Sequence, residues 1–250
     1  MKSKFDLLLR LTYTDFKLKY NNSIFGFFWS LLKPFLMLSI LYIVFKIIIK
    51  INVENYTLSL LLGLILWNFI TESTTLGMNS ILAKSHIIKN IKFTKELIIL
   101  SYILNSLISL FLNLIVFLII GLISGLKLNF ITLLMIPNII LLFLLSTGIS
   151  FILCPLYIKF RDMCHIWEVL LQIGFWAVPI AYPLSMVPER YIIFFLLNPI
   201  ARLIDSSKAL LINNIFIFES FLVSLVMCSI IFFVGYIYFK KETAYLAEEI

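Results

Sequence analysis

The chain has 250 residues, of which 62% are hydrophobic and 13% charged, with a formal net charge of +7 and a mean hydropathy of +1.08. Soluble domains carry roughly 45–50% apolar and about 25% charged residues, and a globule of this size has too little interior to hide so much apolar surface from water. The composition excludes a soluble enzyme, a disordered chain and a nucleic-acid module, and the basic residues, set between long apolar runs, are placed to meet lipid headgroups.

The first segment, residues 1–22, does not read as a cleaved signal peptide, because Arg10, Asp15, Lys17 and Lys19 interrupt its apolar residues and no small-residue cleavage site follows. Phe5, Leu8, Leu9, Thr12, Phe16 and Tyr20 recur at helical spacing, with Lys2, Asp6, Arg10 and Lys17 on another face. This predicts an amphipathic helix in the membrane interface, serving either as a basic anchor that fixes topology or as a docking surface for a partner on that side.

A bilayer core about 30 Å thick needs about 20 apolar residues in a helix, since lipid leaves open backbone groups unsatisfied. Six stretches predict spans: residues 25–49, 57–78, 97–120, 131–157, 166–182 and 216–239. The fold class is therefore an all-α integral membrane protein, read as one domain over residues 1–250. The fifth span is short and ends among Pro179 and Pro183. Residues 183–215 contain apolar stretches too short to cross and read as a re-entrant or interfacial segment, with Pro183, Pro188, Asn198 and Pro199 marking its breaks. Irregular backbone at membrane depth survives only where protein buries it or water reaches it, which makes this segment a candidate outer gate together with Pro179. Six spans put both termini on one side. That side carries thirteen Lys and Arg residues, against six on the other and Lys33 inside the first span. The excess of basic residues predicts cytoplasmic termini.

Two cytoplasmic connections carry further charge. Residues 79–95 place Lys84, His86, Lys89, Lys92 and Lys95 among Ile87, Ile88 and Ile91, the pattern of an inserted helix that pushes on a partner or of a loop that binds headgroups. Arg161 and Asp162 lie between the fourth and fifth spans, as a coupling contact or as a pair that fixes the turn. Within the spans charge is scarce. Glu72, about two-thirds along span two, is either a functional acid or a hydrogen-bonded carboxyl near the cytoplasmic end. Lys33 can snorkel to the surface, and Pro34 predicts a kink in the first span. Aromatic residues make up 16% of the chain. Their default place is the interfacial belt, and the sharper expectation is that Tyr42, Trp67, Phe69, Phe175, Trp176 and Tyr182 line a conduit on which the C–H faces of sugar rings slide.

Cys154, Cys164 and Cys228 and the two histidines show no ligand spacing, so neither a metal site nor a disulfide framework is expected. No GxSG or HExxH pattern supports an intramembrane enzyme. No GxxxxGK[ST] phosphate loop occurs, so this chain binds no ATP by that route and an active transporter built from it must take energy from another subunit.

Asp15, Lys17, Lys19, Tyr20, Ser23, Gly26, Trp29 and Pro34, followed much later by Phe160, Arg161, Asp162, Leu171, Gln172, Phe175, Trp176, Pro179, Ile180, Tyr182, Pro188, Asn198 and Pro199, resemble in order and spacing the ABC-2 permeases that export polysaccharides. Departures are Lys19 where Arg is usual, Phe25 where Leu is usual and Phe93-Thr94 where Phe-Pro is frequent. The resemblance implies a homodimer of six-span subunits, two copies of a separate cytoplasmic ATPase that binds the ATP and Mg, no cofactor in this chain, and export of a lipid-linked glycan such as O-antigen, capsule or teichoic acid across the bacterial inner membrane. It also implies ATPase coupling through Arg10, Lys17, Lys84, His86, Lys89, Lys92, Arg161 and Asp162. An exporter of a drug or small lipid with the same architecture is the rival reading, and a passive channel is a third.

Overall fold

The computed structural model describes residues 4–21, 26, 28–85, 94–127 and 129–245, and no β-strand occurs among them. The helices are α1 (Lys4–Tyr20), α2 (Phe28–Tyr42), α3 (Tyr56–Ala83), α4 (Lys95–Ile123), α5 (Met135–Lys159), α6 (Met163–Ala177), α7 (Glu189–Leu196), α8 (Pro199–Ile212) and α9 (Phe218–Tyr245). A π-helical turn (Ile43–Ile48) extends α2, and a 3-10 turn (Phe130–Leu134) leads into α5. Five stretches are long and apolar enough to cross a membrane: Phe28–Ile48, Tyr56–Ala83, Lys95–Ile123, Phe130–Lys159 and Phe218–Glu242. The chain is a multi-pass helical membrane protein.

The expected fifth span, residues 166–182, differs from the others. Its helix α6 has 15 residues, about 22 Å at 1.5 Å per residue and short of a 30 Å core. The cause is local. Pro179 has no N–H to continue the ladder and disfavours helical geometry at Val178, which stands at φ −108° and ψ 139°. Residues 178–183 then run on without helix. Together they follow α3 in the opposite direction. Trp167 donates to Thr74 at 3.1 Å, Gly174 lies against the Trp67 ring, and the Tyr56 hydroxyl donates to the Ala181 carbonyl at 2.6 Å.

The central helix is α3, sheathed by α2, α4, α5, α6 and α8. Small residues let the helices approach closely, as membrane helices require where no hydrophobic force drives them together. Gly77 of α3 faces Ser150 of α5, and Gly148 of α5 meets Gly235 of α9 backbone to backbone. Phe151 fills the adjacent space against Phe232, Tyr236 and Phe239. These contacts make α3, α5 and α9 run parallel. At their shared end Lys159 pairs with Glu242 and Lys84 with Asp15 of α1, so both ends of the described chain lie on one side of the bundle.

The opposite side holds the segment after α6. Asn198 caps α8 by accepting from the Ile200 N–H at 3.0 Å, with Pro199 in the first helical position. Asn138 of α5 donates to Ser206 and Ser207 of α8. Most of α8 is covered by α3, α5 and α9, whereas α7 leaves Tyr191, Ile193, Phe194 and Leu196 exposed.

Pro34 sits inside α2 without ending it. A proline there removes the hydrogen bond to the carbonyl four residues back, that of Ser30. The side-chain amide of Asn113 on α4 donates to that carbonyl at 3.3 Å, and a second bond runs from it to the Ser109 carbonyl at 2.8 Å. A neighbouring helix thus satisfies the backbone group that the proline frees.

Candidate functional site

Two adjoining cavities open in the wall formed by α2. The larger, about 950 Å³, lies between α2, α3 and α6. Its walls include Trp29, Trp67, Trp167, Phe175 and Trp176, with Lys33, Asn68, Thr71, Thr75, Glu168 and Gln172 as the polar groups and Cys164 among them. Trp67 and Phe175 meet edge to face with centroids 6.1 Å apart, and Trp176 stands perpendicular to Phe175 at 5.2 Å. Trp67 and Phe175 are buried, while Trp176 is 56% exposed. The smaller cavity, about 450 Å³, lies between α2, α3 and α4 beside the end of α1. Phe69 and Glu72 line it. Trp29, Lys33, Asn68, Thr71 and Thr75 line both.

Of the six aromatics proposed for a conduit, the fold brings Trp67, Phe175 and Trp176 into the larger cavity and Phe69 into the smaller. Tyr42, at the end of α2, and Tyr182 line neither. The Tyr182 hydroxyl donates to the Trp176 carbonyl at 2.7 Å and its ring stands against Phe195, so it fastens the end of α6 to α7. The sequence reading passed over the polar lining of α3. Asn68, Thr71 and Thr75 follow i, i+3, i+7 spacing inside an apolar span, which is the signal that marks such a face. Trp29, Trp167, Glu168 and Gln172 were also missed as lining residues, because nothing in a sequence says which side of α2 or α6 meets α3.

The intramembrane acid Glu72 pairs with Lys19 of α1, whose ammonium also donates to Ser109 at 3.3 Å. One turn earlier on α1, Asp15 accepts from Lys84 at 2.5 Å and from the Ser101 hydroxyl at 3.1 Å, and Lys84 lies 4.8 Å from the centroid of the Tyr102 ring. Asp15 and Lys19, one turn apart on α1, thus pair with Lys84 at the end of α3 and with Glu72 within it, and each pair takes a serine from α4. They clamp α1 along α3 and α4. The face of α1 turned inward therefore carries Thr12 and Asp15, while Phe5, Leu9, Tyr13 and Leu18 point away from the protein.

Among the residues proposed for coupling, Arg10 and Lys17 are exposed on α1. Lys84 is buried in its pair with Asp15, at the root of the segment leading to α4. His86, Lys89 and Lys92 lie outside the described residues. Arg161 and Asp162 are exposed in the turn between α5 and α6, with the Arg161 guanidinium 5.7 Å from the centroid of the Tyr157 ring and Asp162 at the start of α6.

Of the residues proposed for the outer gate, Pro179 is buried and its carbonyl accepts from the Lys208 ammonium at 2.7 Å, with that of Ile180 accepting at 3.3 Å. The Lys208 stem packs under Gly63 of α3. Burial pushes the Lys208 amine down to about 8, with the charge of Asp205 opposing. Pro183 precedes a short 3-10 turn, Pro188 precedes α7, and Asn198 and Pro199 start α8.

Comparison with known proteins gives a consistent answer. Residues 6–212 match the ABC-2 type transporter family. The O-antigen export system permease protein RfbA of Klebsiella pneumoniae is 31% identical to this chain over 98% of it and 95% of the relative. A second RfbA protein of Klebsiella pneumoniae is 29% identical over 93% and 88%, and the RfbA protein of Myxococcus xanthus is 25% identical over 82% and 79%. The family match runs from α1 through α8 and takes in every residue that lines the two cavities. A multi-pass helical bundle with a polar and aromatic hollow in its wall is what a transport permease requires, and the chain belongs to the ABC-2 type transporter family.

Proposed function

We propose that this chain is the permease subunit of an ATP-driven exporter that moves a lipid-linked polysaccharide, of the O-antigen, capsule or teichoic-acid kind, across the bacterial cytoplasmic membrane. The observation that carries the reading is the larger cavity. Its tryptophans and Phe175 present flat apolar faces, and Asn68, Thr71, Thr75 and Gln172 present hydrogen-bonding groups beside them. Sugar rings offer C–H faces and hydroxyl rims, so both surfaces are matched. Lys33 and Glu168 are the charged groups of this wall, and the rest of its polar lining is neutral. The relatives named as O-antigen export permeases support the same substrate class.

Two copies of the chain enclose the path, each contributing one such wall. Support comes from the exposed apolar residues of α2 and α6, among them Leu32, Ile166, Val169 and Ile173. The membrane crossing is completed by α6 with residues 178–183, which gives six crossings and places α1 and the end of α9 in the cytoplasm. The basic residues concentrated on that side support this orientation. Residues 183–215 close the outer mouth. A separate pair of ATPase subunits presses on residues 79–95 and on α1, and the clamp of Asp15–Lys84 and Lys19–Glu72 carries that displacement into α3 and α4. ATP and Mg belong to the partner, and no cofactor belongs to this chain.

Deleting the gene is expected to abolish surface polysaccharide and to build up lipid-linked glycan in the cytoplasmic leaflet. The wild-type chain restores export, and Trp176→Ala restores it only in part at equal membrane abundance. Normal surface polysaccharide in the deletion strain overturns the reading, as does drug sensitivity appearing in its place.

A further inference from the structure

We propose that the smaller cavity is a binding site for the headgroup of an anionic phospholipid, with Lys33 taking the phosphate and Asn113 accepting a hydrogen bond from a headgroup hydroxyl. The inference is read from the cavity itself and stands whatever the exporter carries.

Three ionisable groups line the cavity. Lys19 and Glu72 neutralise each other. Lys33 is left over, since no carboxylate among the described residues pairs with it. It stands five residues inside an apolar helix, where an ammonium ion is costly without water or an anion. Lys33 therefore adds one positive charge to the lining of the cavity that no carboxylate among the described residues offsets.

Asn113 supplies the second, independent observation. It is 7% exposed, and its amide nitrogen is committed to the carbonyls of Ser30 and Ser109. That commitment fixes the amide orientation, because turning it over would set its oxygen against two carbonyl oxygens. The oxygen Oδ1 is buried and has no donor among the described residues. A buried acceptor of this kind is costly until a donor arrives. A ligand that complements both groups brings an anion for Lys33 and an O–H for Asn113.

The surroundings of Lys33 say that it is an amphiphile. On the same helix Leu36, Met37 and Ile40 continue from Lys33 along the larger cavity and are exposed. A free phosphate has no use for this stripe. A lipid with its phosphate at Lys33 lays its chain along it. The worth of one basic side chain against an anionic lipid is about 1 kcal/mol, or about fivefold in affinity.

The test is native mass spectrometry of the delipidated full-length protein titrated with single lipids. Phosphatidylglycerol carries the phosphate and free hydroxyls, phosphatidylmethanol the phosphate without hydroxyls, and phosphatidylcholine no net charge. Wild type is expected to retain them in that order, with phosphatidylglycerol about fivefold over phosphatidylcholine. Lys33→Gln is expected to erase the preference and Lys33→Arg to keep it. Equal retention of phosphatidylglycerol by wild type and Lys33→Gln overturns the site. Equal retention of phosphatidylglycerol and phosphatidylmethanol overturns the role of Asn113. A parallel titration with undecaprenyl phosphate separates a bilayer lipid from a cargo carrier. If it displaces phosphatidylglycerol at sub-stoichiometric amounts, the occupant is the carrier and the phospholipid assignment fails. Export is not read in this experiment, so loss of the exporter reading leaves it intact.

Discussion

Asp15 of α1 and Lys84 at the end of α3 are 69 residues apart in sequence and meet at 2.5 Å, with both side chains less than one-tenth exposed. Their desolvation is offset only because the Ser101 hydroxyl and the Tyr102 ring complete the surroundings. Removing one partner strands the other charge. Asp15→Leu and Lys84→Met are each expected to lose about 3–5 kcal/mol of stability, whereas the double replacement loses far less than the sum. Thermal unfolding of the three variants in one detergent measures this, and additive losses would show that the two groups act separately. Because Lys84 stands at the root of the proposed coupling segment, the double variant is also expected to fold while export falls.

Gly148 and Gly235 bring α5 and α9 into backbone contact. A Cβ on Gly235 would stand 2.3 Å from the Gly148 carbonyl oxygen, and one on Gly148 would stand 2.7 Å from the Phe232 Cα. Backbone atoms cannot swing aside as a side-chain tip can. Gly235→Ala is expected to destabilise by about 1–3 kcal/mol, the usual penalty of overpacking, and Gly235→Leu to prevent assembly of α9 on the bundle. Protease resistance of the C-terminal helix in membranes reads the outcome. A Gly235→Leu protein as resistant as wild type would mean that the helices do not meet there.

The helical class, the approximate spans and the two-sided charge bias were legible in the sequence because apolar runs and Lys/Arg placement are local properties. The shortness of α6 was half legible. Pro179 announced the break, and the run of residues beside α3 that follows it depends on contacts such as Tyr56 with Ala181. Glu72 was visible as an exception, but its partner Lys19 lies 53 residues away, and no periodicity links the two. Which face of α1 turns inward was not legible for the same reason. Hydropathy places Phe5 and Leu9 against something apolar, and in a membrane that something is lipid, which leaves the charged Asp15 to face the protein. Asn113 passed without notice because its task, serving the carbonyl freed by Pro34, exists only once α2 and α4 are side by side.

The three cysteines differ in reach. Cys154 and Cys228 are buried between helices, whereas Cys164 lines the larger cavity near Trp167 and Glu168. A membrane-permeant maleimide is expected to modify Cys164 in the folded protein and to leave the other two until denaturation. Peptide mass spectrometry distinguishes them. If the cavity is the export path, a bulky maleimide blocks export in wild type and has no effect on Cys164→Ser. Blockage of both alike would place the inhibition elsewhere.

Lys208 gives the outer segment a pH dependence with a definite sign. Its amine is pushed from 10.5 down to about 8 by burial, and the nearby Asp205, itself raised by burial, opposes the shift. Between about 8 and 10.5 the unfolded chain holds the proton that the folded chain has released. Stability from this group therefore rises with pH across that window, and below it the cost of burying the ammonium is fully present. The neutral amine still donates to the carbonyls of Pro179 and Ile180, so the latch on the broken end of α6 survives the titration. The melting temperature of wild type minus that of Lys208→Met is expected to grow as pH rises from about 8 toward 10.5. A constant difference would mean that Lys208 keeps its ordinary affinity for the proton, and a shrinking one that the folded state holds the ammonium more tightly than water does.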